Sequence, residues 1–300
     1  MLICLRKLRT ELASYLTSGR CHCWVAVHRS RDVIAASAIY FHTCSVCYGP
    51  GMFLEDLYVR PEFRARGLGK MLLKKLAQIC VDSGFAQLEW HVLNWNVKAI
   101  GFYEKMGATN VTQLNGYSLM RLGRKEMDSF CCDSIEALDD IFIQPVDANS
   151  ASDINHLSCL LKEFISLDDG VPLKPTSITD IIQNVQSKRL RVTLVKLTSN
   201  SEPVAFCLYY DAYSTWDGPF LYLEALYVKQ EYRRKKIGRS LFGHLVKHCR
   251  EHNLSRLQWA VLRGDEPAAR FCDTFRPIYS TKNSGYLLFR LDGSALTSLA

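Results

Sequence analysis

Proline and glycine are scarce in this chain of 300 residues, at 9 and 17, and neither recurs with a short period. That excludes collagen-like and low-complexity architectures. A secretory core is missing from the start: the apolar run of Met1-Leu2-Ile3-Cys4-Leu5 ends at Arg6 and is too short for a signal. An unbroken membrane-spanning run is missing too. Val33 to Leu54 contains no Lys, Arg, Asp or Glu, but His42, Thr43, Gly49, Pro50 and Gly51 interrupt it, so it reads as a strand and a loop. No arginine-rich run and no interleaving of aromatic and basic residues points to nucleic acid. Neither nucleic acid nor a membrane is therefore expected as a partner.

What is present is the balance of an ordinary globular protein, 48% hydrophobic and 22% charged, with length enough for two domains. The net charge of +7 is unevenly spread, because residues 1–125 hold 17 Lys and Arg against 8 Asp and Glu. A basic half suits a phosphorylated ligand, although a solvated face would look the same. Twelve cysteines without a secretion signal predict reduced thiols and a cytoplasmic location.

The chain repeats itself. Leu54-Glu55-Asp56-Leu57-Tyr58-Val59 returns as Leu223-Glu224-Ala225-Leu226-Tyr227-Val228, an offset of 169. Leu88-Glu89-Trp90 and Leu257-Gln258-Trp259 keep that offset, as do Gly116-Tyr117 and Gly285-Tyr286. Constant spacing over so long a stretch means a tandem duplication, not a solenoid. We divide the chain into copy 1 (residues 1–125), an acidic linker (126–140) and copy 2 (141–300).

Periodicity within copy 1 predicts a strand over Phe53 to Val59, an amphipathic helix over Gly69 to Asp82 and a strand over Gln87 to Leu93. A short helix over Asn96 to Met106 and a last strand over Tyr117 to Leu122 follow. Copy 2 adds a strand at Ile141 to Pro145, a helix from about Asp153 to Phe164 capped by Ser152 or Asp153, and a helix at Ile178 to Gln186. Shifted by 169, Met1 corresponds to Gly170, so copy 1 is expected to lack the first strand and helix of copy 2. The fold class is α/β (α+β with a mixed sheet), in two tandem domains.

Arg64-Ala65-Arg66-Gly67-Leu68-Gly69-Lys70 stands between a strand and a helix start. Glycine lets backbone approach a ligand there, and the free N–H groups of a helix N-terminus bind phosphate oxygens. With Asn94-Trp95-Asn96 and Phe102-Tyr103-Glu104-Lys105-Met106-Gly107-Ala108, this loop resembles the GNAT superfamily of N-acetyltransferases, and within it the diamine (spermidine/spermine and thialysine) enzymes. The resemblance implies two GNAT-like domains and acetyl-CoA as cosubstrate, with no metal. It implies that Leu57, Tyr58 and Val59 pair with the pantetheine arm, that Arg64, Ala65, Arg66, Gly67, Leu68, Gly69 and Lys70 hold the pyrophosphate, and that Asn96 hydrogen-bonds the cofactor. Tyr103 would lie near the sulfur and protonate it. Glu55 would remove a proton from the acceptor ammonium, directly or through water. Glu55, Asp56, Glu89, Trp90 and His91 are the expected acceptor-binding residues.

Both copies depart from the pattern. In copy 2, Lys236 stands for Gly67, Cys272 for Tyr103, Asp265 for Asn96 and Ala225 for Asp56, the marks of a degenerate acetyl-CoA site in which Lys236 could clash with the pyrophosphate. In copy 1, Asn115 stands where the diamine enzymes carry a carboxylate, and the tryptophan loop of Trp216 has no equivalent around Cys44 to Tyr48. Three readings stay open: an acetyltransferase for the primary amine of a small polyamine or diamine-like acceptor, a noncatalytic tandem protein that binds acetyl-CoA or a protein partner, and a peptide or protein acetyltransferase.

Other groups carry less. Cys21, Cys23, Cys44 and Cys47 with His22 and His42 fall at one end of an expected hairpin, but the spacing is not that of a zinc knuckle. His244, His248 and His252 read as a solvated helix face. Because diamine acetyltransferases are typically dimers, the two copies are expected to form a pseudo-dimer inside one chain, with homo-oligomers left open. Copy 2's Ile141 to Gln186, carrying Glu163, Asp168 and Asp169, is the expected substitute wall for copy 1's acceptor side.

Overall fold

A computed structural model describes residues 12–30, 32–130, 140–166 and 177–300. Copy 1 runs α1 (helical at residues 12–17), β1 (His22–His28), β2 (Val33–Ser45), β3 (Gly49–Val59), α2 (Leu68–Asp82), β4 (Gln87–Leu93), α3 (Val97–Lys105), β5 (Thr109–Asn110), α4 (Val111–Asn115), β6 (Ser118–Gly123) and α5 (Arg124–Ser129). Copy 2 runs β7 (Ile141–Pro145), α6 (Ala151–Ser166), α7 (Ile178–Gln186), β8 (Arg191–Leu197), β9 (Pro203–Ser214), β10 (Gly218–Val228), α8 (Ile237–Glu251), β11 (Arg256–Val261), α9 (Glu266–Asp273), β12 (Ile278–Tyr279), α10 (Ser280–Ser284), β13 (Tyr286–Asp292) and α11 (Gly293–Leu299). The periodicity placed β4, β7 and α7 at their observed bounds. The linker begins as helix, since α5 covers 124–129, and residues 131–139 lie outside the described residues. Helix α6 starts earlier than expected, and the N–H of Asp153 donates to Ser150 Oγ at 3.3 Å. Ser152 and Asp153 are thus inside the helix, and Asp153 instead pairs with Lys196 Nζ at 2.7 Å.

Two mixed sheets form, and they trade strands. The first has the order β1-β2-β3-β4-β13-β5 and the second β12-β6-β11-β10-β9-β8-β7. The last strand of each copy therefore lies in the other copy's sheet. β6 pairs antiparallel with β11 from Arg256↔Gly123 to Val261↔Ser118, and β13 pairs with β4 from Tyr286↔Leu93 to Asp292↔Gln87. Reciprocal bonds accompany the exchange: Leu119 N–H donates to Thr281 Oγ1 and Leu288 N–H to Thr112 Oγ1, both at 2.8 Å. The repeated Gly-Tyr dipeptide has its reason here. Gly116 and Gly285 have φ of +64° and +71°, and a β-carbon on either would fall 2.4 Å from Arg263 or Asn94 of the opposite copy.

The cores are mixed accordingly. Under α2, Leu72, Leu73, Leu76 and Trp90 of copy 1 pack with Phe289, Leu291, Leu296 and Leu299 of copy 2. Under α8, Leu241, Leu245 and Trp259 pack with Met120 and Leu122 of copy 1 and Met127 of the linker. Helices α6 and α7 cover the other face of the second sheet through Leu157, Leu160, Leu161, Ile181 and Val185, and Phe41, Cys44 and Val46 of copy 1 join that cluster. On copy 1, α1 matches α7 at the same offset and packs Leu12, Tyr15 and Leu16 beside Cys21 and Ile39. No described helix of copy 1 corresponds to α6, and Tyr58, the counterpart of buried Tyr227, is 46% exposed. No helix among the described residues is long and apolar enough to cross a membrane.

Candidate active site

The site grows from a parting of two strands. β3 and β4 pair in parallel only from Gly51↔Gln87 to Leu54↔Trp90, after which β3 continues to Val59. On its other edge, β3 faces β2 with a register shift, Ile39 opposing Asp56 and Tyr40 opposing Leu54, so that Glu55 is an extra bulged residue. The edge of Leu57, Tyr58 and Val59 turned toward β4 is outside that ladder. Copy 2 repeats the geometry, its bulge falling on Glu224.

Below the wedge, the chain turns into α2. Arg64 Nε donates to Val59 O at 3.0 Å and folds the loop back, and Arg66 lies over the Phe63 ring at 5.6 Å. Ala65 and Gly67 have φ of +58° and +79°. Gly67 is the N-cap of α2 with no side-chain cap, so the first N–H groups, those of Leu68, Gly69 and Lys70, are presented to an anion. These residues fit the pyrophosphate of acetyl-CoA. A β-carbon at Gly67 would meet nothing within 4 Å, and Lys236 of copy 2 holds the matching αL position at φ +61°. The protein thus accommodates the lysine without an internal clash. Asn96 caps α3, its Oδ1 accepting from Ala99 N–H at 3.3 Å, and Asp265 caps α9 from Ala268 N–H at 3.0 Å. That substitution preserves the cap.

Tyr103 projects from α3 into the core beside the wedge, its ring 4.7 Å from Trp90 and 6.2 Å from Phe289. Burial, with a smaller contribution from Asp56, pushes its phenol up to about 12, so it retains its proton at neutral pH. In copy 2, the corresponding Cys272 thiol accepts from Trp259 Nε1 at 3.2 Å and is likewise pushed up, to about 11. It offers neither a phenol nor a thiolate.

Glu55 reaches the boundary between the copies. Its Oε1 accepts the backbone N–H of Thr215, in the β9–β10 turn of copy 2, at 3.0 Å. Burial pushes its carboxyl up to about 7, against the lowering effects of that N–H and of Arg256. Asp56 is half-buried and also raised by desolvation. Behind Glu55 lies a cavity of about 40 Å³ walled by both copies, lined by Glu55, Glu89, His91, Tyr117, Tyr222 and Arg256 among others.

The five expected acceptor residues do not all face this cavity. Trp90 points to the α2 side and is 1% exposed in the core. Glu89 is neutralised by Arg290, whose Nε and Nη2 each lie 2.8 Å from Oε1, while the guanidinium stacks 3.9 Å from the Tyr48 ring. Of the three acids of the expected wall, only Glu163 is among the described residues. Glu163 accepts from Tyr227 OH at 3.2 Å and pairs with Lys229 at 3.7 Å within copy 2, and Asp168 and Asp169 lie outside the described residues. What meets Glu55 is the turn carrying Thr215 and Trp216. Sequence reasoning missed this turn and Arg256, which fixes it through Asp217 at 2.7 Å. The only available signal was the Trp216 loop being confined to copy 2.

No group of three or more His, Cys, Asp or Glu among the described residues is placed to hold a metal. The His22 and His42 rings lie tilted to each other at 4.8 Å, and burial holds His42 down to about 4. His248 stacks on His252 at 4.0 Å and lies 3.2 Å from Arg191, so that row is not simply solvated.

The profile of the Acetyltransferase (GNAT) family matches residues 4–108 and 162–275. A thialysine N-epsilon-acetyltransferase of Caenorhabditis elegans is 38% identical over 99 residues, 33% of this chain and 62% of that protein. An L-ornithine N5-acetyltransferase of Arabidopsis thaliana is 40% identical over 79 residues, 26% of this chain and 35% of that protein. The chain thus spans less than two thirds of either relative. Among solved structures, a tandem GNAT protein from the clavulanic acid biosynthesis pathway shares the fold, with a TM-score of 0.54 at 11% identity over 91% of this chain and 82% of that one. Two matches in series covering most of the residues, on two sheets that each part at a bulged strand, establish that this chain belongs to the acetyltransferase (GNAT) family.

Proposed function

We propose that the protein is an acetyl-CoA-dependent N-acetyltransferase that works in copy 1 on the primary amine of a small diamine-like acceptor. The observation that carries this reading is the placement of Glu55, raised to about 7, and Tyr103, raised to about 12, around the wedge between β3 and β4. The two relatives are named as a thialysine N-epsilon-acetyltransferase and an L-ornithine N5-acetyltransferase, which supports the acceptor class.

Leu57 to Val59 pair with the cofactor arm, and the N-terminus of α2 holds the pyrophosphate. When bound, acetyl-CoA supplies an activated acetyl thioester. Glu55 takes one proton from the acceptor ammonium, freeing the nitrogen lone pair to attack the carbonyl carbon. Backbone N–H groups at the Glu55 bulge polarise that carbonyl. Tyr103 gives its proton to the departing sulfur. The second proton lost by the nitrogen restores the phenol through solvent, and Glu55 releases its own to water. Copy 2 has no phenol at Cys272 and serves as the other wall of the site.

The test is purified full-length protein with acetyl-CoA and a panel of thialysine, lysine, ornithine, diamines, polyamines and lysine peptides. Thiol release and the product mass are the readouts. Acetylation of a small amine supports the reading, modification of peptides alone overturns the acceptor class, and acetyl-CoA binding without any transfer overturns the activity.

A further inference from the structure

His91 stands on β4 where copy 2, at the offset of 169, has Ala260, so the fold itself does not demand an imidazole there. Its ring lies edge-on to Phe53 at 5.0 Å and to Tyr286 at 5.8 Å, and it faces the cavity between the copies. Its Nε2 is buried and makes no hydrogen bond to any described residue. A buried polar atom with no partner requires a reason, and a ligand is one of the few available. The cavity, about 40 Å³, is large enough for a small polar group.

The groups around it define what would fit. Glu55 enters from β3, Arg256 and Gln258 from β11, Tyr222 from β10, and Tyr117 from just before β6. Tyr117 and Tyr222 hydroxyls engage each other at 3.0 Å, and Glu89 is engaged by Arg290. His91 is left without a partner, and the Glu55 carboxylate, which accepts the Thr215 N–H through Oε1, has further lone pairs to offer a donor. Burial and Arg256 hold His91 down to about 3, so the ring is neutral and offers one lone pair.

We propose that His91 binds the acceptor, its ring nitrogen accepting a hydrogen bond from the terminal ammonium of an unbranched primary amine while Glu55, across the same cavity, takes the proton that the nitrogen must lose. This rests on reading copy 1 as an acetyltransferase. A neutral acceptor orients the ammonium while favouring its charged form less than a second carboxylate, which would hold the proton on the nitrogen. The narrow aromatic walls select against branching next to the amine.

Full-length His91→Ala, which installs copy 2's residue, and His91→Gln, which keeps an acceptor, separate the outcomes. His91→Ala is expected to raise the KM for the amine by about 10- to 100-fold and to leave that for acetyl-CoA unchanged, with His91→Gln recovering part of the loss. An unchanged amine KM, an equal rise in both constants, or a fall in kcat alone overturns the proposal. Calorimetry of n-butylamine into the protein saturated with CoA reads the site without turnover. Binding to the native chain that is lost in His91→Ala supports the assignment even if no transfer is found; equal binding, or none to the native chain, overturns it.

Discussion

The Glu55 carboxylate of copy 1 accepts the backbone N–H of Thr215 of copy 2 at 3.0 Å, and Glu224 accepts the N–H of Val46 at the same distance. Each pair is the other shifted by 169. The bulged glutamate of each copy is therefore held by the opposite copy's hairpin turn. Only the Glu55 side also has the tyrosine, so the two ends share a geometry and differ in chemistry.

That difference predicts opposite results for one substitution made twice. Glu55→Gln should lower turnover by about 100-fold or more with acetyl-CoA affinity intact. Glu224→Gln keeps a hydrogen-bond acceptor for Val46 and should leave turnover within about twofold. Steady-state kinetics on both variants checks it; equal losses would remove the assignment of catalysis to copy 1.

Glu55 is expected to set the acid side of the pH profile. Raised to about 7, it is protonated below that pH and becomes a base above it, so kcat/KM should rise through about pH 7. Arg256 is a nearby cation that favours the carboxylate. Arg256→Gln should shift the acid limb to higher pH, and an unshifted limb would detach Glu55 from proton removal.

Stability should respond to the same two carboxyls. Burial raises Glu55 and Glu224 from 4.5 to about 7, so their contribution is full below 4.5 and is lost as pH rises through 7. Buried His42 and His91, lowered to about 4 and about 3, act in the opposite sense up to about 6.5. The carboxyl effect is therefore read as a difference. The double Glu→Gln variant should gain stability relative to the native chain between pH 4.5 and 8, measured by denaturant unfolding.

Tyr103→Phe keeps the ring against Trp90 and removes the proton donor. Turnover should fall on the order of 10- to 1000-fold with acetyl-CoA binding preserved. Equal turnover would take Tyr103 out of the mechanism. Gly67→Lys is the complementary change: the αL position accepts a lysine in copy 2, so folding should persist while calorimetric affinity for acetyl-CoA falls.

The exchanged strands predict that residues 1–125 expressed alone will not form a stable domain, because β13 supplies the strand beside β4. In the full chain, Phe289→Ala removes a fully buried ring from the core under α2. It should cost about 3–5 kcal/mol and weaken binding at copy 1, although Phe289 belongs to copy 2.

The duplication, the α/β pattern, the glycine turn ahead of α2 and the positions of Glu55 and Tyr103 along the chain were all legible in the sequence. These are local signals: strand and helix periodicities, glycine before a helix start and an offset kept over many residues depend on neighbours along the chain. The strand exchange was not legible, because the pattern of Tyr286 to Asp292 suits either sheet and only the closing of the two cores decides which. Nor could the roles of Glu89 and Trp90 be read, since a strand's alternation shows that they face opposite ways but not that Arg290 waits on one side and Tyr103 on the other. Thr215, Arg256 and the cavity at His91 exist only where the copies meet. A backbone N–H from residue 215 reaches residue 55 through the pairing of two hairpins, and no spacing along the chain records that contact.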